Sequence, residues 1–136
     1  MKSVQIEDYK AVGNLSFIDW DRFKDKTILI TGSTGLIGSN LVNALAFNSF
    51  EKKLGIKLVL PVRDTEYAAE QFGWTNADII PCDFRSELKY DAYCDYIVHL
   101  ASPTSSTFFI RKPASTLLAN IEGTKILLDY AIVRSD

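Results

Sequence analysis

Short runs of apolar, β-branched residues alternate along this chain with longer stretches in which apolar residues recur every three or four positions. The first run, TILIT at 27–31, is continuous rather than alternating, as a strand buried on both faces should be. The stretch LIGSNLVNALAFNSF at 36–50 then places Leu36, Ile37, Leu41, Ala44 and Leu45 at helical spacing. A second strand is predicted in IKLVLPV at 56–62, with Pro61 expected to fray the ladder near its end. TEYAAEQF at 65–72 predicts a helix capped by Asp64 or Thr65 and stopped by Gly73. ADIIPCD and CDYIVHLA supply a third and a fourth strand.

The last stretch, PASTLLANIEGTKILLDYAIV at 113–133, is a long helix with Pro113 in its first turn. Its Leu117, Leu118, Ile121, Leu127, Leu128 and Ile132 occupy more than one face, which predicts cover from something besides the helix's own sheet. Upstream, Val4, Ile6, Tyr9 and Val12 predict a helix over 3–12. Asp19 offers a cap to a short helical turn containing Trp20 and Phe23. Residues 1–24 are expected to form an extension on the outside of a domain spanning 25–136. Strands alternating with helices describe an α/β, doubly wound parallel sheet of the Rossmann type. Right-handed crossovers give the strand order 3-2-1-4.

Composition changes this picture little. Apolar residues are 47% and charged residues 24% of 136, as in an ordinary folded domain. A net charge of -2 gives no reason to expect nucleic acid or an anionic membrane as partner. No apolar run approaches a membrane span, and MKSVQIEDYK carries charges where a signal peptide needs an apolar core. Cys82 and Cys94 are too few for a disulfide framework or a zinc site, which points to a reduced, cytoplasmic setting. The carboxylates suggest no metal site.

The chemistry concentrates in TGSTGLIG, between the first strand and the first long helix. Gly32 supplies a tight turn, Gly35 lets backbone approach a pyrophosphate, and Gly38 lets the helix lie close on the sheet. The helix start then offers free N–H groups and its positive dipole end to phosphate. The spacing differs by one residue from G-x-G-x-x-G. It is not a Walker A loop, because Ser39 and Asn40 follow Gly38.

TGSTGLIGSNL resembles the T-G-x-x-G-x-x-G motif of the extended short-chain dehydrogenase/reductases, the NAD-dependent epimerase/dehydratase family. DYIVHLAS at 95–102 resembles that family's fourth strand with its H-x-A-A/S end. NIEGTKILLDYA at 120–131 resembles its N-x-x-G-T-x-x-L-L-x-x-A helix, and PCDFRS lies where the family keeps an Asp beside adenine. The likeness runs from Thr27 to about Val133 and leaves residues 1–24 outside.

The resemblance implies a cofactor site. Gly32, Ser33, Thr34, Gly35, Leu36, Ile37 and Gly38 would surround the pyrophosphate. Asp83 would accept from the adenine amino group, with Phe84 near the ring. Leu100, Ala101 and Ser102 would line the nicotinamide-ribose side, and Asn120 matches an Asn that approaches the cofactor in some members. Asp83 read simply as a turn cap and Asn120 read as a structural hydrogen-bonder remain open alternatives. At the end of strand 2 an acidic residue would favour NAD. In LPVRD, Val62 or Arg63 stands there, with Asp64 one step later; Arg63 read as suited to adenine stacking and a 2′-phosphate favours NADP over NAD, and Arg63 as a ligand-free surface residue is the alternative.

Members of the family use a Tyr acid/base activated by a Lys four residues on. None of Tyr9, Tyr67, Tyr90, Tyr93, Tyr96 and Tyr130 has Lys at that position, so no catalytic residue is expected in this chain. In the family the catalytic Ser/Thr and Tyr follow the helix at which these residues stop. The expectation is therefore the cofactor-binding portion of a longer enzyme acting on a nucleotide-diphosphate sugar, itself inactive, with a homodimer contact through the final helix. The alternatives are an NADPH-dependent ketone reductase and a non-catalytic dinucleotide sensor. The resemblance makes His99, the single histidine, a packing or loop-positioning residue rather than a catalyst or ligand. Thr104–Ser106 are read as the start of a substrate-side loop.

Overall fold

The computed structural model describes residues 3–83, 88–103 and 110–134. Four parallel strands, β1 (Thr27–Thr31), β2 (Lys57–Val62), β3 (Asp78–Pro81) and β4 (Tyr96–His99), form a sheet in the order β3-β2-β1-β4. The helices are α1 (Ser3–Gly13), α2 (Leu36–Glu51), α3 (Thr65–Phe72) and α4 (Pro113–Val133), with a short 3-10 turn at Trp20–Phe23. The expected order 3-2-1-4 is the observed one.

The continuous apolar runs are explained by cover on both faces of the sheet. Ile28 and Ile30 of β1 and Leu58, Leu60 and Val62 of β2 pack with Val42 and Leu45 of α2 and with Ala68 and Phe72 of α3. Leu29 and Val59 point the other way, into a cluster with Cys82, Leu88 and the α4 residues Leu127 and Tyr130. Full burial of a ring such as Phe72 contributes on the order of 2–3 kcal/mol.

Several local expectations are corrected or narrowed. The β1–β2 pairing ends at Leu29↔Val59, whereas β2 and β3 stay in register through Pro61↔Ile80 and Val62↔Pro81. Strand alternation turns the missing N–H of Pro61 towards β1, so the ladder frays on that side only. Asp19 stands at the cap position of the 3-10 turn, yet its side chain makes no capping hydrogen bond. Asp64, not Thr65, caps α3: its carboxylate accepts from the Tyr67 amide at 2.9 Å. Leu36 and Ile37 are 84% and 71% exposed and do not join the buried stripe of α2, which is Gly38, Val42, Leu45 and Asn48.

The extension packs on α2. Asn48, buried on that helix, donates through Nδ2 to Tyr9 O and to Ala44 O, both at 2.9 Å. Tyr9 itself is buried, with its ring centroid 6.1 Å from that of Phe47. On the opposite layer α4 turns Thr116, Gly123, Leu127 and Tyr130 inward and leaves Leu117, Leu118, Ile121, Leu128, Ile132 and Val133 exposed. Among the described residues no helix is long and apolar enough to cross a membrane, and no group of His, Cys, Asp and Glu side chains gathers as a metal site.

Candidate functional site

All four strands run the same way, so the segments leaving β1, β2, β3 and β4 meet at one edge of the sheet. A doubly wound sheet binds ligands at this edge, where crossovers on either side of β1 diverge. The chain leaves β1 at Thr31 and turns through Gly32, whose φ of 67° lies in the left-handed region that favours glycine. A Cβ there would also sit 2.7 Å from Ala101 N, so the turn lies directly beneath the segment that follows β4. The Gly35 amide closes the turn onto Gly32 O at 3.0 Å.

Gly35 is the N-cap of α2 and offers no capping side chain, which leaves first-turn amides for an external acceptor. Among the described residues, a Cβ on Gly35 would meet only Gly32 O, at 3.2 Å. Gly38 differs. Its Cβ would fall 2.1 Å from Gly32 O and 2.8 Å from the Ser33 Cα, so this glycine lets the first turn of α2 close onto the loop. Gly32 makes the expected tight turn, and Gly38, expected to let the helix lie close on the sheet, makes room for the turn's own backbone.

Ser33 is fully buried, and its hydroxyl oxygen has no hydrogen-bond partner among the described residues. A buried hydroxyl without a partner carries a cost that a ligand acceptor would remove. Uncapped helix amides, the orphan Ser33 hydroxyl and the bare flank of Gly35 together fit a diphosphate. Leu36 and Ile37, exposed beside them, fit an apolar cover for the same ligand.

The remaining expected site residues spread along the same edge. Leu100 and Ala101 sit over Gly32, with Ser102 next in the chain. Arg63 is the first residue past β2 and is exposed, while the neighbouring Asp64 is engaged as the cap of α3. Asp83 lies two residues past β3, exposed, beyond the Cys82 amide that continues the ladder onto Val62 O at 2.8 Å. Asn120 is half-buried, between Thr116 and Gly123 on the sheet-facing stripe of α4. Phe84 and Thr104–Ser106 lie outside the described residues.

One residue of the site was not anticipated. Thr31 Oγ1, wholly buried, accepts from Leu100 N at 3.1 Å and Ala101 N at 3.2 Å and lies 2.7 Å from His99 Nδ1. It opens the TGSTGLIG stretch, but its hydrogen-bonding role was not read from it. The only available signal is its hydroxyl at the last strand position before the first glycine.

Burial dominates the electrostatics. It pulls the His99 imidazole below its usual range and pushes the Cys82 and Cys94 thiols up, so neither cysteine is a ready thiolate. Burial also raises the Tyr90 and Tyr130 phenols, the opposite of what a tyrosine acid/base needs.

Comparison with known proteins adds the decisive observation: the pattern of the NAD dependent epimerase/dehydratase family matches residues 28–134. The chain belongs to that family. Its members' cofactor class is a nicotinamide dinucleotide, in keeping with a site built for a diphosphate. Among curated relatives, dTDP-glucose 4,6-dehydratase of Escherichia coli is 31% identical over 111 residues, covering 76% of this chain and 30% of that enzyme. UDP-glucuronic acid decarboxylase 1 of Danio rerio is 31% identical over 112 residues, covering 78% of this chain and 24% of the relative. UDP-glucuronic acid decarboxylase 6 of Arabidopsis thaliana is 30% identical over 110 residues, with 76% and 29% covered. The chain thus spans less than a third of the length of these epimerase/dehydratase relatives.

Proposed function

We propose that these residues are the NAD(P)-binding portion of a nucleotide-sugar dehydratase, epimerase or decarboxylase. The observation that carries this reading is the bare turn at Gly32–Gly35, with the orphan Ser33 hydroxyl and the uncapped start of α2 converging where a diphosphate would lie. The names of the relatives supply the substrate class, dTDP- and UDP-linked sugars. When bound, a nicotinamide would take a hydride from the sugar and later return it. The chain's own part is to hold the diphosphate at Ser33 and the α2 amides, to place Leu100–Ser102 towards the ribose, and to offer Asp83 to the adenine.

Proton transfer is assigned to residues beyond this chain. The tyrosines here lack a lysine four positions on, and the two phenols that shift do so upward. Arg63, exposed at the end of β2, favours NADP over NAD within this reading. It also supports a second one, an NADPH-dependent ketone reductase of the same family. Substrate trials on a longer form containing these residues, with dTDP-glucose, UDP-glucuronic acid and simple ketones, separate the two.

Titration of NADPH and NADH into the 136-residue chain, followed by nicotinamide fluorescence, tests the assignment. The expected result is saturable binding, abolished by Gly35→Val, with no turnover of either sugar nucleotide. Absence of binding, or binding indifferent to Gly35→Val, overturns the cofactor assignment. Turnover by this chain alone overturns the placement of catalysis elsewhere.

A further inference from the structure

The ends of β1 and β4 meet in a three-way hydrogen-bond node. A hydroxyl has one proton and two acceptor sites. Thr31 Oγ1 takes the Leu100 and Ala101 amides at 3.1 and 3.2 Å, which fills both acceptor sites. Its proton therefore goes to the remaining neighbour, His99 Nδ1 at 2.7 Å. Nδ1 is then an acceptor, and the neutral ring carries its proton on Nε2.

An imidazolium reverses this arrangement. With a proton on Nδ1, the ring and the hydroxyl present donors to each other, and Thr31 Oγ1 must give up an amide to accept from the ring. The Leu100 amide has a second acceptor in Thr31 O at 3.3 Å. Among the described acceptors, Ala101 N has Thr31 Oγ1 as its partner, so its bond is the one displaced. That nitrogen lies 2.7 Å from where a Gly32 Cβ would stand, so the displaced segment is the one resting on the glycine turn.

We propose that His99 is a positioning residue whose neutral Nε2–H form holds Leu100 and Ala101 over Gly32 through Thr31, and whose protonation releases that segment. Charge is sparse on the described elements around the node. Thr31 to Phe50, which includes the turn and nearly all of α2, contains no Asp, Glu, Lys, Arg or His. Beside β1 and β4 stand the Lys26–Asp95 pair, at the far end of the ladder, and Tyr96, at the start of β4; Arg63 and Asp83 stand past the ends of β2 and β3. The α4 charges Glu122, Lys125 and Asp129 are exposed, while its sheet-facing stripe is Thr116, Asn120, Gly123, Leu127 and Tyr130. Burial favours the neutral ring. The node itself stands on hydrogen-bond geometry; its consequence for dinucleotide affinity rests on the cofactor-binding reading above.

Because the chain has one histidine, ¹⁵N NMR of the intact 136-residue protein reads His99 without assignment ambiguity. The expected result is an unprotonated Nδ1 and a protonated Nε2 at neutral pH, with the Ala101 amide shifting at the His99 midpoint. His99→Asn, whose Oδ1 accepts without titrating, should keep the neutral-pH Ala101 signal and remove its pH dependence. Thr31→Ser should preserve the response and Thr31→Val abolish it. If Thr31→Val fails to fold, the titration of the unaltered chain decides alone. NADPH affinity should weaken below the midpoint by on the order of threefold to tenfold, the worth of one hydrogen bond. A proton on Nδ1 at neutral pH, or an Ala101 amide indifferent to His99, overturns the proposal. NADPH binding at no pH while Ala101 still follows His99 leaves the node standing and removes the cofactor reading instead.

Discussion

Asp95 and Thr27 bond to each other twice: the Asp95 amide donates to Thr27 O at 2.9 Å, and the Thr27 amide donates to Asp95 Oδ2 at 2.9 Å. This pair fixes where β4 starts beside β1, and Lys26 Nζ adds a third bond to Asp95 Oδ1 at 2.8 Å. At the opposite end Thr31 and His99 perform the same service. The glycine turn therefore hangs from a strand pair fastened at both ends. A one-residue slip of β4 would turn Ile97 out of its packed layer and break both fastenings.

Removing the lower fastening should cost stability in a pH-dependent way. The Lys26 ammonium, and after it the Thr27 amide, hold the Asp95 carboxyl below the usual carboxylate range. A lowered carboxyl pKa contributes stability above the unfolded value, about 3.9, which is lost as pH falls through the folded value. Lys26 is half-exposed, so the ion pair itself is well screened, and the bond to the Thr27 amide should dominate. Asp95→Ala is expected to lower the urea-unfolding free energy by about 1.5 kcal/mol at pH 7. That deficit should shrink as pH falls through the folded value and the parent's own carboxyl is protonated. A deficit that stays constant throughout the acid range would show that Asp95 acts by packing, not by charge.

Gly35 and Gly38 should respond oppositely to the same substitution. Gly38→Ala drives a methyl to 2.1 Å from a backbone carbonyl oxygen, which has no flexible end to yield. The loop must move, and strain of that kind costs on the order of 1–3 kcal/mol or more. Gly35 has φ −77° and ψ 173°, open to any residue, and its Cβ would meet only Gly32 O at 3.2 Å. Thermal unfolding should therefore show a clear drop for Gly38→Ala and little change for Gly35→Ala. Dinucleotide binding should fall for Gly35→Ala in a chain that remains folded. Equal losses of stability at the two positions would contradict the distinction.

The sequence carried the fold well because cover on both faces leaves a strong trace, continuous apolar runs such as TILIT and KLVLP bounded by turns. It carried the glycine turn for the same kind of reason: Gly32 and Gly38 answer to backbone geometry that other residues meet only with strain. Side-chain roles were less legible. Leu36 and Ile37 fit the helical period, but they precede the part of α2 that reaches the core, so they point outward. Asp19 and Asp64 are both acids in front of helical turns, and only Asp64 reaches an amide. Thr31 opens the glycine motif, yet its role was not legible, because it depends on the β4 strand 68 positions away.

The junction between the extension and the domain rests on Asn48. It is 2% exposed and ties Tyr9 O to α2, and its Oδ1 would stand 1.9 Å from a Cβ on Gly13. Asn48→Ala leaves the Tyr9 carbonyl without that donor and opens a gap beneath Tyr9, together expected to cost about 1–3 kcal/mol. Because α1 docks through α2, the loss should be local. Hydrogen exchange should speed up across residues 3–13 in the variant while the β1 and β2 amides keep their protection. Uniform acceleration throughout would mean that extension and sheet unfold as one unit.

Cofactor choice turns on the two residues after β2. An acid at that place would accept from both ribose hydroxyls and repel a 2′-phosphate. The acid here, Asp64, stands one residue late and already accepts the Tyr67 amide as the cap of α3. Arg63 is exposed at the strand end, with a guanidinium able to stack on adenine and make paired bonds to phosphate. NADPH should therefore bind more tightly than NADH by on the order of tenfold, the value of one bond to a charged group. Arg63→Ala should erase that gap by weakening NADPH alone, with NADH changed little because it lacks the 2′-phosphate. Arg63→Lys should restore only part of it, since an ammonium keeps the charge but loses the planar fork. Both dissociation constants, measured on all three proteins at one ionic strength, decide the matter, because the phosphate contact is salt-sensitive. Tighter binding of NADH, unmoved by Arg63→Ala, would leave Arg63 as a solvated surface cation and assign the site to NAD.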